Sequence, residues 1–232
     1  MTRARYLQAC AGWMLVLPGV IRNCRWFGRV ENSFPTRARE LLLTIDDGPD
    51  PRQTPQMLDA LAEARVRAVF FVIGKNVEAN PALCRRMVEE GHSVQNHTYS
   101  HPSATFWLSG PERAAREIDR CSTAIQEATG RRPVRFRAPV GMANPFVHLA
   151  AEARGLGIMG WSATGHDGIA HDSACVIQRI RQRARPGGIV LLHESHLRGM
   201  RGGERACTLS ELVNTLRADG YTFTDRLDAG TA

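Results

Sequence analysis

The chain has 232 residues, 43% hydrophobic and 23% charged, a size and balance that fit one globular domain and exclude a disordered or fibrous polymer. Its formal charge of +7 would suit an anionic partner, but residues 1–40 hold seven arginines against Glu31 and Glu40, so this leader carries +5 and the rest of the chain only +2. No basic stripe with interleaved aromatics appears, and nucleic acid is not expected as a partner.

In chain order, Leu7 to Ile21 is almost wholly apolar and is flanked by Arg3, Arg5, Arg22 and Arg25. Fifteen residues fall short of the roughly 20 that a spanning helix needs, and no small-x-small cleavage site follows. Three readings stay open: a membrane-associated helix giving peripheral attachment through residues 1–30, a helix packed on the domain, or a cleaved signal. Residues 1–39 are set apart as this leader, and 40–228 as a catalytic domain. From position 40, short apolar runs alternate with amphipathic stretches. Strands are expected at 41–45, 68–73, 93–95, 134–136, 157–161, 189–192 and 221–224, and helices at 54–65, 77–90, 111–129, 145–154, 172–185 and 209–219. Repeated β-then-α order implies parallel strands with right-handed crossovers that close, or nearly close, into a barrel. Six cysteines (10, 24, 84, 121, 175 and 207) form no Cys-x-x-Cys pair, so buried free thiols are expected rather than a disulfide framework.

Polar residues fall at or just after strand ends: Asp46-Asp47, Asn96-His97, Arg137, Asp167 and His193. In barrels and open α/β sheets that edge builds the site. Two adjacent carboxylates at the end of an apolar strand repel each other unless a cation lies between them or one serves as a base. Read alone, Asp-Gly-Pro is equally a turn. His97 and His101, four apart, reach one ion from a helical turn or a tight loop. With Asp47 they make a two-histidine, one-carboxylate set that leaves coordination positions open, the arrangement of a catalytic rather than a structural site. His193, closing an apolar strand, faces the same mouth and is the natural general acid. Asn96-His97-Thr98 is a formal glycosylation sequon, read as coincidence.

Thr-Ile-Asp-Asp-Gly-Pro (44–49), His-Thr-Tyr-Ser-His (97–101), Arg-Ala-Pro (137–139) and Leu-Leu-His (191–193), in that order, resemble the motifs of polysaccharide deacetylases with a NodB-homology domain, carbohydrate esterase family four. Ala68–Gly74 and Glu89–His92 add to the likeness, which runs over about residues 40 to 225. The resemblance implies an α/β fold, a distorted (β/α)7 barrel of parallel strands. It also implies a metal-dependent hydrolase removing N-acetyl groups from amino-sugar residues of a glycan or glycolipid. Asp47, His97 and His101 would bind one divalent ion, zinc by default, with cobalt, nickel or manganese as alternatives. Asp46 would be the general base, Arg137 would orient it, His193 would protonate the leaving amine, and a backbone N–H near Val140 would help hold the oxyanion. Trp161 and Leu191 would wall the acyl pocket. A cell-envelope or inner-membrane-associated location is expected, with a cytoplasmic one as the alternative.

The family's Asp-x-x-Asp-Trp segment reads here Trp161-Ser-Ala-Thr-Gly-His-Asp-Gly168. Only Asp167 survives, kept as a catalytic candidate, while Ser162 and Gly168 replace the expected Asp and Trp and leave the partner of Arg137 open. Val140-Gly141 stands where an aromatic is usual, and His166 is expected as an exposed loop histidine. So bare a groove suits a short or lipid-linked sugar better than a long polymer. The alternatives are a deformylase or O-deacetylase of a lipid-linked sugar using the same site, or an inactive carbohydrate-binding homologue.

Overall fold

The computed structural model describes residues 21–168, 172–194 and 204–225. The leader's apolar run Leu7–Ile21 falls almost wholly on residues 1–20, outside the described residues, as do Cys10 and the domain's expected last residues 226–228, whereas residues 21–39 of the leader are described. Among the described residues nine strands form one sheet: β1 (Val30–Glu31), β2 (Glu40–Asp46), β3 (Val69–Val72), β4 (Ser93–Asn96), β5 (Arg135–Phe136), β6 (Gly157–Met159), β7 (Ala163–Thr164), β8 (Gly188–His193) and β9 (Thr222–Thr224). Their order is β1-β6-β5-β4-β3-β2-β8-β7, with β9 on β2, and every strand pairing is parallel. The sheet curls into a distorted half-barrel with helices outside it, as the alternation of elements requires. β2 is its centre: β8 pairs along Leu41–Asp46, β9 meets Glu40–Leu42 and β3 meets Thr44–Asp46.

Seven helices cover the sheet among the described residues: α1 (Thr54–Ala64), α2 (Gly74–Ala79), α3 (Pro81–Glu89), α4 (Pro111–Thr129), α5 (Pro145–Glu152), α6 (Ser173–Arg183) and α7 (Glu204–Ala218). The single helix expected over 77–90 is two. Pro81 disfavours helical geometry in the residue before it, and Asn80 sits at φ −137°, ψ 55° between α2 and α3. α7 begins at Glu204, five residues before the expected 209, because its first buried positions are Arg205 and Thr208. Their spacing to Leu209, Leu212, Val213 and Leu216 is helical, but hydrophobic periodicity cannot register polar side chains. β1 and β7, two residues each, were too short to leave a pattern. β1 draws residues 30–31, grouped with the leader on sequence grounds, into the sheet beside β6.

The period of two along the strands sorts floor from mouth. Leu41, Leu43 and Ile45 face outward into the main core with Leu58, Leu61, Leu212 and Val213. Leu42, Val69, Phe71, Met159 and Ile189 pack together inside the curl. Pairing across β2 and β8 then gives an inward ladder of Leu42 with Ile189, Thr44 with Leu191, and Asp46 with His193, apolar at the base and ionisable at the carboxyl end. Cys24, Cys84 and Cys121 are buried free thiols as expected, whereas Cys175 is half-buried and Cys207 exposed, both on helix faces turned from the core. Leu43 is fully buried and Leu149 is 60% exposed. Leu43→Ala is therefore expected to lower unfolding free energy by about 2–5 kcal/mol and Leu149→Ala to change it by less than about 0.5 kcal/mol, as read by urea denaturation; equal losses would contradict this burial.

Candidate active site

Asp46 ends β2 and Asp47 follows in a left-handed conformation, φ +77°. The Asp47 N–H donates to the Phe71 carbonyl at 3.1 Å, and the Asn76 side chain donates to the Asp47 carbonyl at 3.1 Å, so the reversal is tied from both sides. Gly48 follows because its neighbour is the Glu194 carboxyl: a Cβ on residue 48 would lie 2.5 Å from Glu194 Oε1. That carboxyl is buried, accepts from the Asp50 N–H and the Thr54 hydroxyl, and is pushed by burial to a pKa of about 7.

His97 immediately follows β4, and His101 closes a loop in which Thr98 (φ +67°) and His101 (φ +51°) are also left-handed. The i, i+4 pair therefore sits on a tight loop rather than on a helix. Backbone N–H groups of Gly74 and Lys75, at the start of α2, donate to the Thr98 and Tyr99 carbonyls at 3.0 Å, and Glu117 of α4 accepts from the N–H and hydroxyl of Ser100. Asn96, fully buried, accepts from the Thr98 N–H and donates to Ile118 and Ser122, so the sequon asparagine is closed to glycosylation in the folded chain. Seven non-glycine residues among the described ones have positive φ, and Asp47, Thr98, His101, Val140 and His166 among them surround one mouth. Such conformations cost about 1–3 kcal/mol each and persist where neighbours over-determine them.

The donor atoms of Asp47, His97 and His101 all lie within 4.8 Å of one another. Asp47 Oδ1 is 3.5 Å from His97 Nε2 and 3.4 Å from His101 Nε2. These separations are long for hydrogen bonds and suit donors each about 2.0–2.2 Å from a shared ion. His97 Nδ1 is 2.8 Å from the Arg137 carbonyl, so it carries the hydrogen and leaves the Nε2 lone pair facing Asp47. Burial, reinforced by His97, pushes His101 down to a pKa of about 4. Burial opposes ionisation of Asp47, yet the hydrogen-bonding contact with His97 and electrostatic attraction from the surrounding histidines outweigh it and hold the carboxyl well below the usual range. A neutral His101 and an ionised Asp47 are ligand forms that a divalent ion requires.

Arg137 follows β5 and is fully buried. Its donors go to Asp46 Oδ1 (2.6 Å), Thr44 Oγ1 (2.8 Å), the Met159 carbonyl (3.2 Å) and the Gly160 carbonyl (2.8 Å), and its guanidinium carbon lies 4.1 Å from the Phe71 ring centre. The partner left open by the altered Asp-x-x-Asp-Trp segment is thus a set of β2 and β6-end oxygens. Asp167, the surviving aspartate of that segment, serves His193 instead. Its Oδ1 is 2.9 Å from His193 Nδ1, and its Oδ2 accepts from the His193 N–H at 2.7 Å and from Arg205 at 3.1 Å. Arg205, from the first turn of α7, also donates to the His193 carbonyl. Burial alone would lower the pKa of His193, but the Asp167 charge and hydrogen bond, with the Asp47 and Asp46 charges, lift it to about 9. Arg205 left no signal in the sequence because one arginine among 29 is not distinctive.

Val140, Trp161, Leu191 and His193 line one cleft of about 160 Å³, together with Arg22, Thr164, His166 and Gly168. Asn23 anchors the rim, its side chain donating to the Trp161 carbonyl and its N–H to that of Gly141. His166 is half-buried rather than an exposed loop residue, because the β7 turn folds it against this cleft. A larger recess of about 550 Å³, among Leu61, Arg65, His92 and Phe223, lies at the opposite end of the sheet and holds no ligand-spaced group among the described residues.

The polysaccharide deacetylase family model matches residues 34–159. The chain is 38% identical over 185 residues to a chitooligosaccharide deacetylase of Bradyrhizobium sp. (strain ANU 289), covering 79% of this chain and 82% of that protein. It is 31% identical over 198 residues to a peptidoglycan-N-acetylglucosamine deacetylase of Bacillus cereus, covering 84% and 90%. A solved peptidoglycan N-acetylglucosamine deacetylase superposes with a TM-score of 0.74 at 28% identity, over 83% of this chain and 88% of that one. With the ordered motifs, the curled parallel sheet and the Asp–His–His set at its mouth, the chain belongs to the polysaccharide deacetylases of the NodB-homology, carbohydrate esterase four type.

Proposed function

We propose that the chain hydrolyses the N-acetyl group of amino-sugar residues in a glycan or glycolipid, using zinc held by Asp47, His97 and His101. One observation carries this reading: the Asp–His–His donors lie between a carboxylate held by a buried guanidinium and an imidazole held by a buried carboxylate. Two histidines with one carboxylate favour zinc with open coordination positions. Bound there, the ion supplies Lewis acidity, which lowers the pKa of water and polarises a carbonyl oxygen.

The remaining roles belong to this chain's own side chains. Asp46, its Oδ2 3.6 Å from His97 Nε2, removes the proton from the attacking water while Arg137 keeps its other oxygen occupied and its orientation fixed. Trp161 and Leu191 receive the acyl methyl. The Val140 N–H, on a left-handed turn beside the same cleft, stabilises the oxyanion. His193, protonated below about pH 9, gives its proton to the departing amine. Asp167 and Arg205 hold it in the tautomer and orientation for that transfer. Intact acid and base positions argue against an inactive carbohydrate-binding homologue. Release of a formyl or O-acetyl group by the same residues is the alternative acyl specificity. A cell-envelope location with peripheral membrane attachment through residues 1–30 belongs to this proposal, supported by the apolar run Leu7–Ile21; no helix among the described residues is long and apolar enough to cross a membrane.

In an acetate-release assay on N-acetylglucosamine oligomers, Asp46→Asn is expected to lose at least about 100-fold in kcat while retaining one ion per chain by mass spectrometry. Activity near that of the parent would remove Asp46 as the base. For Asp167→Asn, loss of the carboxylate that raises the His193 pKa moves the alkaline limb of kcat to lower pH, since the acid then deprotonates earlier. An unmoved limb would show that His193 is not the acid.

A further inference from the structure

The cleft has a basic rim whose charge the hydrolytic chemistry does not use. Arg22 lines it beside Trp161, Thr164, His166 and His193, although it comes from the segment preceding β1 and lies outside the residues that the family model matches. Arg179 of α6 reaches the same turn, its Nη1 donating to the Gly165 carbonyl at 3.3 Å, and the Arg183 Nη1 donates to the Arg179 carbonyl at 3.2 Å. Arg22, Arg179 and Arg183 make no ion pair among the described residues. The nearby carboxylate, Asp167, is already committed to His193 and Arg205. All three guanidiniums are felt at His166, whose pKa is pushed down first by burial and then by their charges. Gly168 also lines the cleft, and among the described residues a Cβ there would meet only His193 Nδ1, at 3.9 Å. Among the described residues the rim is therefore uncrowded at Gly168 and positive in potential.

We infer that this rim is a subsite for a phosphate ester, and that the amino sugar deacetylated here carries a phosphate or phosphodiester next to the acylated residue, with Arg22 and Arg179 as its specificity-determining contacts. Guanidinium forks match phosphate oxygens bidentately. A cleft lined by one sign of charge also concentrates the oppositely charged substrate. The inference rests on the deacetylase reading and narrows its substrate. The phosphate has two sources with one chemistry, a soluble sugar phosphate or the headgroup of a polyprenyl-linked sugar. The apolar run ending at Ile21, one residue before Arg22, makes both worth separating.

The test compares kcat/KM of the full-length, zinc-loaded protein on a neutral N-acetylglucosamine oligomer, on N-acetylglucosamine 1-phosphate and on polyprenyl-diphosphate-linked N-acetylglucosamine in detergent. The phosphorylated substrates are expected to exceed the neutral one by about tenfold or more. That ratio should collapse toward one in Arg22→Gln combined with Arg179→Gln and in high salt. Arg131→Gln, on the turn after α4 at the far end of the sheet, should leave the ratio unchanged. A polyprenyl substrate better than the soluble phosphate assigns the group to a lipid carrier, and equal rates assign it to a soluble sugar phosphate; either supports the subsite. Equal turnover of neutral and phosphorylated sugars, or a preference that survives the double variant, overturns it while leaving the deacetylase reading intact. Release from none of the three by protein carrying its ion overturns both.

Discussion

A guanidinium inside the curl of the sheet is the constraint on which the rest of the site depends. Arg137 is fully buried, and a charge so placed is tolerated only when it is paired and hydrogen-bonded. It meets that condition with Asp46, Thr44 and two β6-end carbonyls. Removing either partner of such a pair costs about 3–5 kcal/mol because the other charge is left unmatched. The network therefore fixes where Asp46 points. By occupying Oδ1 it also leaves Oδ2 turned toward His97, 3.6 Å away. Its main-chain carbonyl sets the tautomer of His97 in addition. One residue thus positions both Asp46 and His97.

The second carboxylate–cation assembly, His193–Asp167–Arg205, stands across the mouth and raises the pKa of its imidazole. Asp46 and His193 are register partners on β2 and β8, so a carboxylate and an imidazole face the same space from adjacent strands. Between them the left-handed residues Asp47, Thr98 and His101 turn three donors inward. This local strain is borne by tethers from α2, Asn76, Asn96 and Glu117, none of which touches the donor atoms.

Much of this arrangement was legible in the sequence because it rests on spacing. The β-then-α alternation predicted a parallel curled sheet, and the polar residues at strand ends predicted which edge of it is used. Asp47, His97 and His101 could be grouped because donor type and i, i+4 spacing are visible in one dimension. The partner of Asp167 was not legible. The altered segment left the partner of Arg137 open as well, because the donors of that arginine are taken by oxygens of β2 and the end of β6, and three of its four contacts go to a hydroxyl and main-chain carbonyls that carry no sequence signature. Arg205 escaped notice for a related reason, since the first turn of α7 buries polar side chains where periodicity looks for apolar ones. Likewise Glu194 and Gly48 reveal their dependence only when the β2 and β8 ends are side by side.

The arginine rim extends the same logic from chemistry to choice of substrate. Arg22 comes from the chain's basic leader and Arg179 from a helix outside the catalytic motifs, so what they recognise can vary while the hydrolytic residues stay fixed. The most direct test of the whole account is a crystal structure of the zinc-loaded protein with anomalous scattering recorded at the metal edge. The account predicts one peak about 2.0–2.2 Å from an Asp47 carboxylate oxygen and from Nε2 of both His97 and His101, with Asp46 beside it but not coordinating. A peak bound through His97 Nδ1, or no peak among these three residues, would contradict it.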